Sequence, residues 1–226
     1  MMTSVDAVLF DLDGTLVDTI PLILSCYTYT LATHLPGFDP GRRVIIGNLG
    51  RSLDEILYDY AAAAGVADPK AMSRTMLDTY RTYQRGELDR QIRSYDGMRE
   101  TLAEFHRRGL TLGVVTSKVE WAARECYERY RMDEFFSVGV FHDDTVRHKP
   151  DPEPLLLAAK KANLAVERTA YVGDSIHDMA AGRAAGMRTI GALWGPSEPG
   201  DLEAAGADAL ARSPADLLTI VVTQRT

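Results

Sequence analysis

The chain has 226 residues, 46% of them hydrophobic and 25% charged, with a formal net charge of −7. These are ordinary globular values, in a chain long enough for one large domain or a domain carrying an insert. The acidic balance argues against nucleic acid and anionic membrane surfaces as partners, and an anionic substrate would need a local cation cluster or a bound metal.

Val5 to Phe10 is a short apolar run that predicts a strand, and it ends abruptly in Asp11-Leu12-Asp13-Gly14-Thr15. The residues before it, from Met1, lack the basic start of a secretory signal. Thr19 to Phe38 carries no Asp, Glu, Lys or Arg, but it is rich in Thr, Ser and Tyr and holds Pro21, His34 and Pro36. A soluble helix over Ile20 to Thr33 is the expectation there, not a membrane span. Leu53 to Ala64 repeats the helical spacing before Gly65, and Asp68-Pro69 opens a third helix that runs to about Ile92. No strand is expected between residues 19 and 92.

From there the texture alternates. Helices are expected over Met98 to Arg108, Val119 to Tyr130, Pro152 to Asn163 and Met179 to Ala185. Strands are expected over Leu110 to Val115, Ser137 to Phe141, Ala170 to Val172 and Thr189 to Leu193. Ser213-Pro214-Ala215-Asp216 reads as the cap of a last short helix. Such alternation predicts an α/β fold, a doubly wound parallel sheet of the Rossmann kind with helices on both faces. The helical block enters right after the first strand, so the expected division is an α/β core of residues 1–17 and 93–226 with a helical cap of residues 18–92. The two cysteines, Cys26 and Cys126, have no partner at metal or redox spacing. Reduced thiols and a cytoplasmic location follow as expectations.

Ligands of open parallel sheets bind beyond the carboxyl ends of the strands. Asp11 and Asp13 stand at such an end. If the strand geometry persists, both carboxylates point into one site, where their repulsion would be about 4 kcal/mol at about 4 Å and an effective dielectric near 20. A divalent cation or a shared proton would relieve it. Alone, the pair could equally be a surface turn. Three other strand ends change the odds. Thr116-Ser117 follows one strand and could offer hydroxyls and amides to an oxyanion, or simply cap a helix. Lys149, held extended before Pro150, could neutralise a carboxylate or phosphate. Asp174 and Asp178 follow a strand and a glycine, and carboxylates there suit Mg²⁺. His177 reads as a solvated or capping residue.

Asp-x-Asp, Thr, Lys and Asp-x-x-x-Asp at four successive strand ends resemble the four motifs of the haloacid dehalogenase superfamily, in its phosphatase branch. DLDGTL, VVTSK, HKPDP and GDSIHD carry the likeness, and the helical insert is similar to that family's small α-helical cap. The resemblance implies that Asp11 is the nucleophile and forms an aspartyl phosphate, and that Asp13 acts as acid and then base. It implies that Thr116, with Ser117 beside it, and Lys149 hold the phosphoryl oxygens. Mg²⁺ would be held by Asp174, the Asp11 carboxylate and the Asp13 backbone carbonyl, with Asp178 in support. Dehalogenases of the family lack the second aspartate of the first motif, so Asp13 favours phosphoryl transfer; phosphomutases keep both.

The chain looks most like phosphoglycolate phosphatases, while His142 to Leu155 also resembles bacterial pyrophosphatases of this fold. The expected substrate is a small phosphorylated metabolite that is itself anionic, with pyrophosphate as runner-up. The expected assembly is a monomer or a homodimer. The cap would select the substrate. Gly47-Asn48-Leu49-Gly50-Arg51 is a glycine-rich turn that could face the site, and Arg51, Arg43, Arg81 or Arg85 could supply a cation, with Arg51 the first choice. A receiver-type signalling domain shares the acids, the Thr and the Lys but is shorter and lacks the insert. A catalytically dead binding module is at odds with a full set of candidate groups.

Overall fold

The computed structural model describes residues 5–221; the first four residues, read above for a leader, lie outside them. Its centre is a six-stranded parallel sheet formed by β1 (Ala7–Phe10), β4 (Thr111–Val115), β5 (Phe136–Val140), β6 (Thr169–Gly173), β7 (Arg188–Ala192) and β8 (Ala209–Ala211), in the order β5-β4-β1-β6-β7-β8. β1 is buried along its whole length, as a strand covered on both faces must be, which is why its sequence is apolar throughout rather than alternating. Its successive side chains divide between two cores. Val8 and Phe10 join one cluster with Val114, Val172 and Ile190, and Leu9 joins the other with Val115, Val138 and Tyr171. That is the period-two geometry of a strand sealed by helices on both sides.

Those helices are α5 (Met98–Arg107), α6 (Glu120–Glu128), α7 (Glu153–Lys161), α8 (Ile176–Ala184), α9 (Pro199–Ala205) and α10 (Leu217–Ile220). From β1 the chain builds outward through β4 and β5, then returns past β1 to build β6, β7 and β8 on the other side. The switch point therefore falls between β1 and β6, where the crevice of a doubly wound sheet opens. Phe10 lies opposite both Val114 and Val172, so the residues just past the ends of β1, β4 and β6 emerge side by side.

Between β1 and β4 lie four helices, α1 (Ile20–His34), α2 (Arg42–Gly47), α3 (Leu53–Ala63) and α4 (Pro69–Gln91). Tyr27 of α1 sits at their centre, edge-on to Tyr60 of α3 (5.9 Å) and Tyr80 of α4 (5.2 Å), the arrangement aromatic quadrupoles prefer. Asp68 caps α4 by accepting from Ala71 N at 2.9 Å. The two ends of the block are tied by a short antiparallel pair, β2 (Val17–Asp18) with β3 (Arg93–Ser94). Among the described residues no helix is long and apolar enough to cross a membrane.

Several elements depart from the sequence expectation. α2 replaces a loop; at six residues it is too short to show a periodic stripe. β2 and β3 are two residues each and formed by pairing alone. α8 begins at Ile176, not Met179, because Ser175 and Asp178 form a reciprocal capping box. α9 and β8 were not anticipated, although Pro199 at the start of α9 and Gly206, in the left-handed region at its end, mark its limits.

Candidate active site

The cleft lies at the β1–β6 switch point, beneath the helical insert. Asp11 follows the last residue of β1; its N–H still donates to Val172 O at 2.9 Å, so the backbone of the sheet fixes the side chain's origin. The Asp11 carboxyl is buried, and Lys149 Nζ stands 2.9 Å from its Oδ1. The ammonium is not aligned for a hydrogen bond to that atom, which has no hydrogen-bond donor among the described residues. Lys149 aims instead at Asp178 Oδ1 (2.6 Å) and the Tyr171 hydroxyl (3.1 Å). Burial pushes Asp11 up to about 7, Lys149 opposes the rise, and the Asp178 and Asp13 charges add to it.

Asp13 shares the cleft with Asp11, but β1 ends at Phe10, so the two are not held by strand alternation. The Asp13 carboxylate lies 2.8 and 2.9 Å from Lys118 Nζ and accepts from Thr19 Oγ1 at 2.6 Å. Its charge is thus compensated by protein, whereas the sequence reading looked only to a cation or a proton. Lys118 was not among the expected site residues; its place two residues beyond Thr116, within VVTSK, is the signal that marks it. Thr116 is buried; its N–H donates to Val140 O (3.0 Å) and its Oγ1 accepts from Lys118 N (3.2 Å). The hydroxyl proton remains available to an anion in the cleft.

Across the switch point, Asp174 Oδ1 accepts from Thr15 Oγ1 at 2.5 Å. Two glycines wall it in: a Cβ on Gly14 (φ +82°) would fall 2.5 Å from Asp174 Oδ2, and one on Gly195 would fall 2.3 Å from Asp174 Cβ. Burial, reinforced by the Asp178 and Asp11 charges, pushes the Asp174 carboxyl well above the usual range. Carboxylate oxygens of Asp11, Asp174 and Asp178 lie within 4.8 Å of one another. Asp178 is fully engaged, Oδ1 by Lys149 and the Tyr171 hydroxyl, Oδ2 by Ser175 N (3.0 Å) and Oγ (2.6 Å). Of these three carboxylates, the oxygens left for a ligand belong to Asp11 and Asp174. A buried Asp11 Oδ1 without an aligned donor, among hard oxygen groups that raise one another's proton affinity, fits a small divalent cation such as Mg²⁺.

The insert closes over this floor through its Gly47–Arg51 turn, as the glycine pattern led one to expect. Ser117 Oγ donates to Gly50 O at 2.6 Å, and His177 Nε2 lies 3.1 Å from Gly47 O. Gly50 (φ +93°) is needed there, since a Cβ would lie 2.7 Å from Ser175 Oγ. Ser117 is therefore engaged by the insert. Arg51 reaches the cleft, but its guanidinium is bound to Asn48 Oδ1 and Asp59 Oδ2, both at 2.8 Å. Arg85 lies over the Trp121 ring, 4.1 Å from its centroid.

A doubly wound sheet with buried acids, a hydroxyl and a lysine converging at its switch point defines an α/β protein with a site suited to phosphoryl chemistry. The particular family follows from comparison. The haloacid dehalogenase-like hydrolase model matches residues 8–192, and the chain belongs to that family. It is 35% identical over 219 residues to the pyrophosphatase PpaX of Halalkalibacterium halodurans, covering 96% of this chain and 97% of that one. It is 33% identical over 219 residues to the pyrophosphatase PpaX of Bacillus pumilus, covering 97% of each. Among solved structures, a predicted phosphoglycolate phosphatase from Haemophilus somnus superimposes with a TM-score of 0.83 at 25% identity, covering 97% of this chain and 99% of that one.

Proposed function

We propose that the protein is a cytoplasmic, Mg²⁺-dependent phosphohydrolase that acts through an aspartyl phosphate on a small phosphate compound carrying a second anionic group. Pyrophosphate leads, and phosphoglycolate-type monoesters stand second. The observation that carries the reading is the contact set of Lys149, a buried ammonium 2.9 Å from Asp11 and 2.6 Å from Asp178. A buried cation so placed lowers the cost of bringing a phosphate dianion against an aspartate. Pyrophosphate is placed first because the relatives named PpaX match nearly the whole chain at 33–35% identity, above the 25% of the phosphoglycolate phosphatase neighbour. In this reading residues 1–17 and 93–226 form the catalytic core and residues 18–92 the cap.

Asp11 attacks phosphorus with one carboxylate oxygen, and the bond from phosphorus to the leaving oxygen breaks as the acyl phosphate forms. Lys149 and the Thr116 hydroxyl face the phosphoryl oxygens and offset their charge. Asp13 delivers a proton to a leaving oxygen that needs one, then takes a proton from the water that attacks the acyl phosphate, which regenerates Asp11. Lys118 and Thr19 hold the Asp13 carboxylate in place for both tasks. Asp174, the Asp11 carboxylate and the Asp13 backbone carbonyl would hold Mg²⁺, with Asp178 in support, and the ion when bound supplies positive charge against the phosphate oxygens. The cavity is small, about 90 Å³, which favours a compact substrate.

The test is phosphate release from pyrophosphate, phosphoglycolate, sugar phosphates and nucleotides, with Mg²⁺ and with EDTA. Metal-dependent release, greatest from pyrophosphate, is expected. Release from none of them by folded protein with Mg²⁺ present would sink the reading.

A further inference from the structure

Four cap arginines were candidates for holding the substrate's second anionic group, and the structure separates them. Arg43 is exposed and away from the cleft. Arg51 is held by Asn48 and Asp59, with Glu55 at 3.8 Å. Arg85 lies on Trp121. Arg81 lines the cleft and is half-buried, and among the described residues no carboxylate pairs with it. One turn further along α4, on the same helix face, is Gln84. Its side chain also lines the cleft, the residue is only 6% exposed, and its amide, which makes no side-chain hydrogen bond among the described residues, is open to the cleft and not sealed in protein. A helix position this buried is normally given to an apolar residue, so an amide here, open to the cleft, suits a polar ligand.

The remaining charges of the cleft point the same way. Lys118 is paired with Asp13 and Arg51 with Asp59, while Lys149 lies beneath the cleft against Asp11 and Asp178, where the transferred phosphoryl group uses it. Arg81 is the cleft cation without a counter-charge among the described residues, and the adjacent amide offers two further N–H donors.

We propose that Arg81 and Gln84 form the subsite for the second anionic group of the substrate, the leaving phosphoryl of pyrophosphate or the carboxylate of a phosphorylated hydroxy acid. This rests on the phosphohydrolase reading. The guanidinium supplies charge and paired donors, and the Gln84 amide replaces a hydration shell that the closed cleft removes. Arg51 acts on the loop that carries it, through Asn48 and Asp59.

The test is calorimetric binding, with excess Mg²⁺, of three non-hydrolysable probes: methylphosphonate, methylenediphosphonate and phosphonoacetate. The wild-type protein is expected to prefer the two doubly anionic probes over methylphosphonate. In Arg81→Ala and in the near-isosteric Gln84→Met that preference should fall about tenfold, the worth of a hydrogen bond to a charged group. It should survive in Arg85→Ala. Loss for the diphosphonate alone assigns the subsite to a phosphoryl group, and loss for phosphonoacetate alone assigns it to a carboxylate. No preference in the wild type, or one that Arg81→Ala retains while its melting temperature is normal, overturns the proposal. Binding preference without turnover of any phosphate would sink the phosphohydrolase reading and leave the subsite standing.

Discussion

Lys118 Nζ meets both oxygens of the Asp13 carboxylate, at 2.8 and 2.9 Å, in a cleft where both side chains are largely shielded from water. The pair makes Lys118 a positioning residue for the group that handles the proton. In Lys118→Met the carboxylate loses its fixed orientation, and hydrolysis of the acyl phosphate should slow about 10²-fold, within the usual range for general-base catalysis. With an ester of a good leaving group, rapid-quench kinetics should then show a burst of the alcohol. A variant that turns over at the wild-type rate without a burst would remove Lys118 from this role.

Asp11→Asn should lower kcat at least about 10³-fold on every substrate, since it removes the carboxylate oxygen that attacks phosphorus. Activity near wild type would end the assignment of Asp11. The acyl phosphate itself can be sought by trapping the phosphorylated chain in acid and mapping the modified peptide.

For Asp13→Asn the loss should depend on the leaving group. Alkyl phosphates should lose about 10²-fold or more relative to p-nitrophenyl phosphate in the phosphoryl-transfer step. Pyrophosphate, whose leaving group is already a good one, should resemble the nitrophenyl ester. Equal losses across all three would argue against an acid role.

Metal binding and pH are linked through the same carboxyls. Asp11 is raised from 3.8 to about 7, so the folded state holds its proton more tightly than the unfolded chain. That contribution to stability is complete below the unfolded value and is lost as pH rises towards 7. Mg²⁺ competes with the proton for these oxygens. The rise in melting temperature on adding Mg²⁺ should therefore be larger at pH 8 than at pH 5.5, read by scanning calorimetry. An equal rise at both pH values would place the metal elsewhere.

Gly195 was not singled out by the sequence reading, yet its Cα lies against Asp174. Gly195→Ala would put a methyl carbon 2.3 Å from Asp174 Cβ, displacing the carboxylate from Thr15. Affinity for Mg²⁺ should fall about tenfold or more, as when groups that orient metal ligands are lost, while Gly200→Ala, where no atom lies within 4 Å of the new methyl, should bind normally. Isothermal titration with the metal alone reads both.

The chain's local chemistry determined its fold class and the floor of its site. A strand buried on both faces must be apolar along its length, and a charge at its end is conspicuous. Asp11, Thr116, Lys149 and Asp174 could therefore be found from residue type and position alone. Tertiary structure decided what those groups face. Asp178 was expected to support the metal site, and the fold shows how it is held, with both its oxygens bound by Lys149, Tyr171 and Ser175. Asp13 looked like half of a repelling pair until Lys118 arrived from the end of another strand, 105 residues away. The cap arginines were indistinguishable as letters, since each is a long cation on a helix or turn. Only packing shows that Arg51 and Arg85 already have partners and that Arg81 has no ion pair among the described residues. Long side chains choose partners among groups that chain folding brings near, and that proximity is a property of the sheet order and the insert, not of spacing along the chain.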